Sequence, residues 1–344
     1  MMPRLYSAAL AAVAVFSLTV LPAAGAPKPS RPDNLSVESV NNAEWRGSGR
    51  NMPAPLLVKL QVLLDRARAS PGQIDAINGE NTRKAIAAFR AMHGLGGSDR
   101  ADLALWRQLT EADGEPALIT YAITKQDVEG PCIEKLPDDY REKADLKKLA
   151  YTSSMELLAE KFHMSEKLLQ QLNPDVAFDR AGVQIVVANV QRQYLSRKVA
   201  RVKVDAATQR VLAYDRVDRL VAVYPATVGS RERPTPTGEF EVTSVAENPT
   251  YHYDPALNLR GVDVQEKLEL PAGPNNPVGL VWIALSAKGY GIHGTPDPDA
   301  VSKKASHGCI RLTNWDALEL AKHVRKGTAV RIDDRSPIRQ HKRP

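Results

Sequence analysis

The chain has 344 residues, more than one ordinary domain holds, and 43% of them are apolar against 25% charged, so it can bury a sizeable core. Lys and Arg outnumber Asp and Glu by 46 to 40, but the excess is scattered rather than gathered into a stripe. That argues against a nucleic-acid groove and suits, at most, an anionic polymer.

Arg4 gives a positive start, Ala8 to Leu21 is an apolar run too short to span a bilayer comfortably, and Ala24-Gly25-Ala26 supplies small residues for cleavage. Residues 1–26 therefore read as a secretory signal peptide, and the mature protein is expected in the periplasm or cell envelope. No cysteine follows the run and no second run of about 18 apolar residues appears, so no membrane anchor is expected after cleavage. Only Cys132 and Cys309 occur, a count that in an oxidising compartment invites a single disulfide.

Residues 27–50 are rich in Pro, Ser, Asn and Gly and read as a disordered linker. From Pro55 a helical period begins with Leu56, Leu57, Leu60, Leu63 and Leu64. Ser70-Pro71-Gly72 breaks it, a second helix opens at Glu80 or Asn81 with Ala85, Ile86 and Phe89 on one face, and Leu103, Trp106 and Leu109 make a third. These helices, over 51–112, resemble a peptidoglycan-binding module. The matching residues are Leu60-Gln61, Gly72-Gln73-Ile74-Asp75, Gly79-Glu80-Asn81-Thr82, Phe89 and Trp106-Arg107-Gln108-Leu109, with Ala76 where that family has Gly. A helical spacer without ligand affinity is the alternative.

Leu118 to Thr124 alternates like a strand inside a connecting segment over 113–150. Glu156 to Phe162 and Ser165 to Leu172 read as short helices, and Gln184 to Val187 as a strand. That order over 151–192 is similar to LysM glycan-binding modules, though Thr152-Ser153-Ser154 stands where the family has Gly-Asp-Thr; a packing domain is the other reading. From 197 to 334 the texture is β. Val202, Val204, Val211 and Ala213 alternate with polar residues, Val278 to Ser286 is a continuous apolar run, and one late helix covers Trp315 to Val324, which suggests a sandwich or a curled sheet. Residues 335–344 form a basic tail expected to be disordered.

Chemistry concentrates in Tyr290-Gly291-Ile292-His293-Gly294-Thr295 and Ser306-His307-Gly308-Cys309-Ile310-Arg311. A thiol with a pKa of about 8.5 is scarcely ionised near neutrality and needs an imidazole or a cation beside it to be an efficient nucleophile. His307 is too close in sequence to reach Cys309 without a sharp turn, whereas His293 can arrive from a separate strand. Gly308 lets the backbone approach a substrate, so the Gly308 and Cys309 amides can form an oxyanion hole. Arg311 suits a carboxylate through its planar fork, or else braces the loop. Trp282 and Tyr290 wall a cleft or belong to the core. Asn314 reads as a helix cap, and His93, His163, His323 and His341 as solvated.

The whole constellation, with Pro234-Thr235-Pro236-Thr237-Gly238-Glu239-Phe240 upstream, resembles the L,D-transpeptidase (YkuD-type) catalytic domain. The resemblance implies a multidomain chain: a mainly-β catalytic domain of the L,D-transpeptidase β-sandwich-like fold behind a three-helix module and a small α+β LysM-like module. It implies Cys309 as nucleophile and His293 as base, its other ring nitrogen held by the Gly294 carbonyl, with His307 and Gly308 in the catalytic loop. Ser306, Arg311, Tyr290 and Trp282 fall to the substrate. The implied partners are peptidoglycan stem peptides and glycan, with no cofactor and no metal, and the reaction is a 3→3 crosslink that releases terminal D-Ala.

The same residues serve an L,D-carboxypeptidase or an enzyme joining lipoproteins to peptidoglycan. A zinc site from His293, His307 and Cys309 is a different class, and a wall-binding protein with an inert or bridged Cys309 is a third. The oligomeric state is not written in the sequence.

Overall fold

The computed structural model describes residues 35–47, 51–130, 132–192, 198–230, 233–257, 262–304, 306 and 308–334. The expected signal segment over 1–26 and the tail from 335 lie outside the described residues. Of the expected linker, the described part 35–47 includes one short helix. Ser36 and Ser39 cap each other to start α1 (Val37–Asn41), Val40 is buried, and Asn41 Nδ2 donates to Leu118 O at 2.9 Å. Polar bonds rather than an apolar period specify this turn, so composition alone reads it as linker.

Three helices follow. α2 (Ala54–Arg66) carries Pro55 in its first turn, where its missing N–H costs nothing. α3 (Glu80–His93) stops at Gly94, whose φ of 68° is the left-handed conformation that closes a helix. α4 (Leu103–Ala112) starts from Asp102, whose side chain accepts the Leu105 N–H at 2.9 Å.

Next come β1 (Leu118–Ala122), α5 (Lys125–Glu129), α6 (Tyr140–Ala144), α7 (Ser154–Lys161), α8 (Glu166–Leu172) and β2 (Gln184–Ala188). β1 and β2 pair antiparallel, Leu118 opposite Ala188. The α+β unit therefore begins at Leu118, not at 151, and the supposed connector supplies its first strand and an insertion carrying α5 and α6. A partner 70 residues away leaves no mark in a local pattern.

The remaining strands are β3 (Arg201–Asp205), β4 (Arg210–Tyr214), β5 (Leu220–Pro225), β6 (Gly238–Glu247), β7 (Tyr251–Tyr253), β8 (Leu268–Leu270), β9 (Val281–Leu285), β10 (Gly291–His293), β11 (Ile310–Arg311) and β12 (Ala329–Asp333), with α9 (Asn314–His323) before the last. Eight of them form one sheet in the order β11-β10-β9-β6-β12-β3-β4-β5, while β7 and β8 pair apart. Of sandwich and curled sheet, it is the single sheet that occurs; β6 runs through its middle and shifts register between Val242 and Ser244. Val281, Ile283, Ile292 and Ile310 bury one face under Ala317, Leu320 and Ala321 of α9.

Residues Asn34–Pro344 group as one compact unit. Val223 of β5 joins the core of α2, α3 and α4, and Val58 and Val62 of α2 join the core of the α+β unit. The parts therefore share their apolar interiors.

Candidate active site

Strand register assembles the site. His293 stands opposite Trp282 of β9 and, on its other side, opposite Arg311 of β11. Cys309 immediately precedes β11, and the Gly291 amide and the Arg311 charge both act on its thiol, which sets it beside the face that carries His293, Arg311 and Trp282. Ile292 and Ile310 point to the opposite face and anchor both strands in the core.

His293 is buried, and its Nδ1 lies 2.6 Å from the Gly294 carbonyl, an acceptor only. Nδ1 therefore carries the proton and Nε2 the free lone pair. The Trp282 ring stacks on the imidazole, centroids 5.4 Å apart and planes 24° from parallel. Burial first, and the nearby Arg311 charge second, hold the His293 pKa down to about 3 against the pull of the Gly294 carbonyl. The imidazole is neutral at rest.

Cys309 is partly buried. Its sulfur faces the Gly289 carbonyl at 3.9 Å and receives the Gly291 amide. Burial pushes the thiol up, while that amide and Arg311 pull it down. The resting pair is thus neutral thiol and neutral imidazole, and deprotonation accompanies attack rather than preceding it.

The loop before Cys309 is held from two sides. Ser306 Oγ donates to Cys309 O at 2.6 Å and accepts the Gly308 N–H at 3.1 Å. Thr235 Oγ1 donates to Gly308 O at 2.8 Å and itself accepts the Gly229 N–H. Thr227 and Arg311 exchange backbone bonds at 2.9 Å. Gly308 has φ of +115°, and a Cβ there would sit 2.9 Å from Tyr290 Cε1, so the position admits only glycine. Two expectations change. The Gly308 amide is engaged by the Ser306 hydroxyl and not turned to an oxyanion, and Ser306 braces the loop rather than facing a substrate. His307 lies outside the described residues.

Arg311 Nε is buried and has no hydrogen-bond partner among the described residues. Its charge reaches Tyr140 of α6 and Tyr251 of β7, whose hydroxyls burial pushes upward, so both remain protonated donors. Tyr251 belongs to the short strand β7, in which Tyr253 is buried.

Other assignments also move. Thr313, not Asn314, caps α9. His163 is not solvated: it lies 3.1 Å from Asp65 and stacks on Trp315. Cys132 is exposed, and both cysteines are free rather than bridged. Among the described residues no three His, Cys, Asp or Glu side chains gather as a metal site. Thr235, which holds the Gly308 carbonyl, was missed as a support. Only the Thr-Pro run around Thr235 carried a signal.

Residues 200–332 match the family model described as the L,D-transpeptidase catalytic domain (YkuD). The putative L,D-transpeptidase YkuD of Bacillus licheniformis is 33% identical over 181 residues, 52% of this chain and 93% of that protein. The probable L,D-transpeptidase ErfK/SrfK of Escherichia coli is 31% identical over 201 residues, 56% of this chain and 63% of that one. Among solved structures, L,D-transpeptidase 3 from Mycobacterium tuberculosis shares 17% identity at a TM-score of 0.34, covering 45% of this chain and 72% of that chain.

Proposed function

The chain belongs to the YkuD-type L,D-transpeptidase family, and from that premise we propose that it is a cysteine acyltransferase that forms 3→3 peptidoglycan crosslinks outside the cytoplasm. The observation that carries the reading is what gathers at this sheet face: a partly buried thiol beside it, a neutral imidazole with Nε2 unblocked, and a guanidinium whose buried Nε has no partner among the described residues.

In the first half-reaction Cys309 Sγ bonds to the carbonyl carbon of the third residue of a tetrapeptide stem while its proton passes to His293 Nε2. Burial makes the imidazolium short-lived, so it readily protonates the departing amine, and the C–N bond to D-Ala breaks. The thioester remains. An amine of a second stem then attacks it and gives a proton to His293; the C–S bond breaks and the proton returns to sulfur. The Cys309 amide is the donor left for the intermediate's oxygen once Ser306 holds the Gly308 amide. Arg311 receives a stem carboxylate. The helical and α+β units hold the enzyme on the same polymer.

The test is intact-mass measurement of the protein with a stem tetrapeptide or a carbapenem. The wild type gains an adduct on Cys309 and Cys309→Ala gains none. An adduct of equal yield in Cys309→Ala sinks the assignment. Product masses with and without an added amine separate transfer from hydrolysis.

A further inference from the structure

The backbone beside His293 is crowded by one side chain. A Cβ at Gly294 would lie 2.1 Å from Asn314 Oδ1, and one at Gly279 would lie 2.0 Å from the same atom. The Asn314 amide is thus packed flat against the corner whose carbonyl fixes the imidazole. Asn314 is fully buried at the start of α9, and its Oδ1 accepts the Leu280 N–H at 3.0 Å. Its Nδ2 donates to Pro274 O at 3.3 Å and to both carboxyl oxygens of Glu160, at 3.1 and 3.0 Å.

Glu160 belongs to α7, in the α+β unit, and not to the catalytic sheet. The Tyr151 hydroxyl donates to its Oε1 at 2.9 Å. We propose that Glu160 is a positioning residue for His293, acting through Asn314: a carboxylate supplied by the accessory unit strengthens the hold on the amide that backs the Gly294 carbonyl, and so on the catalytic imidazole. The inference rests on the cysteine acyl-transfer reading given above.

The physical reason is the ambiguity of an amide. Rotated by half a turn, the Asn314 side chain exchanges an acceptor for a donor, and Nδ2 would face the Leu280 N–H and the glycine corner. An ionised carboxylate only accepts, so it reinforces the orientation that the Leu280 N–H and the Pro274 carbonyl also require, and a neutral carboxyl, which can donate, gives up that reinforcement. Tyr151 and Asn314 face the carboxyl, and Glu156 is the other charge acting on it. Burial raises the Glu160 pKa to about 7 against the bonds from Asn314 and Tyr151, so the reinforcing form prevails above neutrality.

The experiment follows iodoacetamide alkylation at the Cys309 peptide, by mass, from pH 6 to 9, in wild type, His293→Ala, Glu160→Leu and Glu160→Gln. His293→Ala moves the alkylation curve to higher pH and slows the rate at pH 7 at least about tenfold. Glu160→Leu moves the curve the same way, with a melting temperature above the assay temperature. Glu160→Gln, which keeps one acceptor, falls between it and wild type. A general loosening would lower the reactive fraction without moving the curve. Wild-type curves in Glu160→Leu beside a displaced His293→Ala curve overturn the positioning role alone. A wild-type curve in His293→Ala overturns the acyl-transfer reading and this inference together. Should Glu160→Leu melt too low, Glu160→Gln decides, since a wild-type curve there is also an overturning result.

Discussion

Arg311 is a cation whose buried Nε meets no acceptor among the described residues, and such a group is costly unless something arrives to pair with it. Its neighbours in charge are a thiol, an imidazole and two tyrosine hydroxyls, none of which is an anion at rest. An incoming carboxylate fits that vacancy, and a charge-assisted bond of this kind contributes about 1.5–3 kcal/mol. Arg311→Gln should therefore lower kcat/KM about 10- to 100-fold for a donor stem with a free carboxylate and far less for its amidated analogue. Equal losses on both substrates would make Arg311 a brace and nothing more. The motif spacing offered Cys309, His293 and Arg311 because side-chain chemistry is written in the sequence, and His293 and Arg311 do stand opposite each other on paired strands. Ser306 and Gly308 were misjudged because which oxygen an amide faces depends on a turn, and no residue type announces that.

Elements hold the site through a backbone corner rather than through long side chains. β10 ends at His293, and Gly294 then turns against Asn314 of α9, which four hydrogen bonds prevent from yielding. Gly294→Ala should cost about 1–3 kcal/mol in urea denaturation, as overpacking does, and should abolish acylation by moving the carbonyl that orients His293. Adding Asn314→Ala removes the obstructing oxygen, so the double variant should be more stable than the sum of the singles predicts. Strict additivity would show that the clash is relieved elsewhere. Helices with an apolar period, α2, α3, α4, α7, α8 and α9, were legible from spacing alone. α1 and α5 rest on reciprocal caps, Ser36 with Ser39 and Thr124 with Asp127, which hydrophobic spacing does not record. β9 is shorter than its apolar run because Asn276 Oδ1 takes the Val278 N–H and Gly279 turns at φ of +62°.

At the scale of the molecule, a buried cluster of charges joins α2, the α+β unit and α9. Arg192 pairs with Asp65 at 2.7 Å and with Glu319, and lies 3.8 Å from Asp316, while Arg68 meets Glu319 at 3.0 Å. Ser70 Oγ donates to Asp316 Oδ2 at 2.7 Å, and the Tyr224 hydroxyl donates to Glu319. Sequence could not place this joint: it brings together Asp65 and Arg192, 127 residues apart, in a region where neither belongs to a motif. Burial raises the Asp316 pKa to about 7, with Arg192 the leading force pulling it back; Asp65 is drawn down to about 2, Arg192 leading the attractions that outweigh burial. Asp65 thus contributes stability above its ordinary carboxylate pKa that is lost only as pH falls toward 2, whereas the contribution of Asp316 is complete in acid and lost as pH rises through about 7. Arg192→Met leaves three carboxylates facing a dry interior without their shared cation. Removing one partner of a buried pair costs about 3–5 kcal/mol, and that is the loss expected at pH 8. At pH 5 the carboxylates of the variant take up protons, because without Arg192 their pKa values rise, so the loss should be clearly smaller there. Urea denaturation of both proteins at the two pH values measures the difference. An identical loss at pH 5 and pH 8 would mean that packing of the Arg192 stem, and not its charge, holds the accessory units to the helix that backs the catalytic histidine.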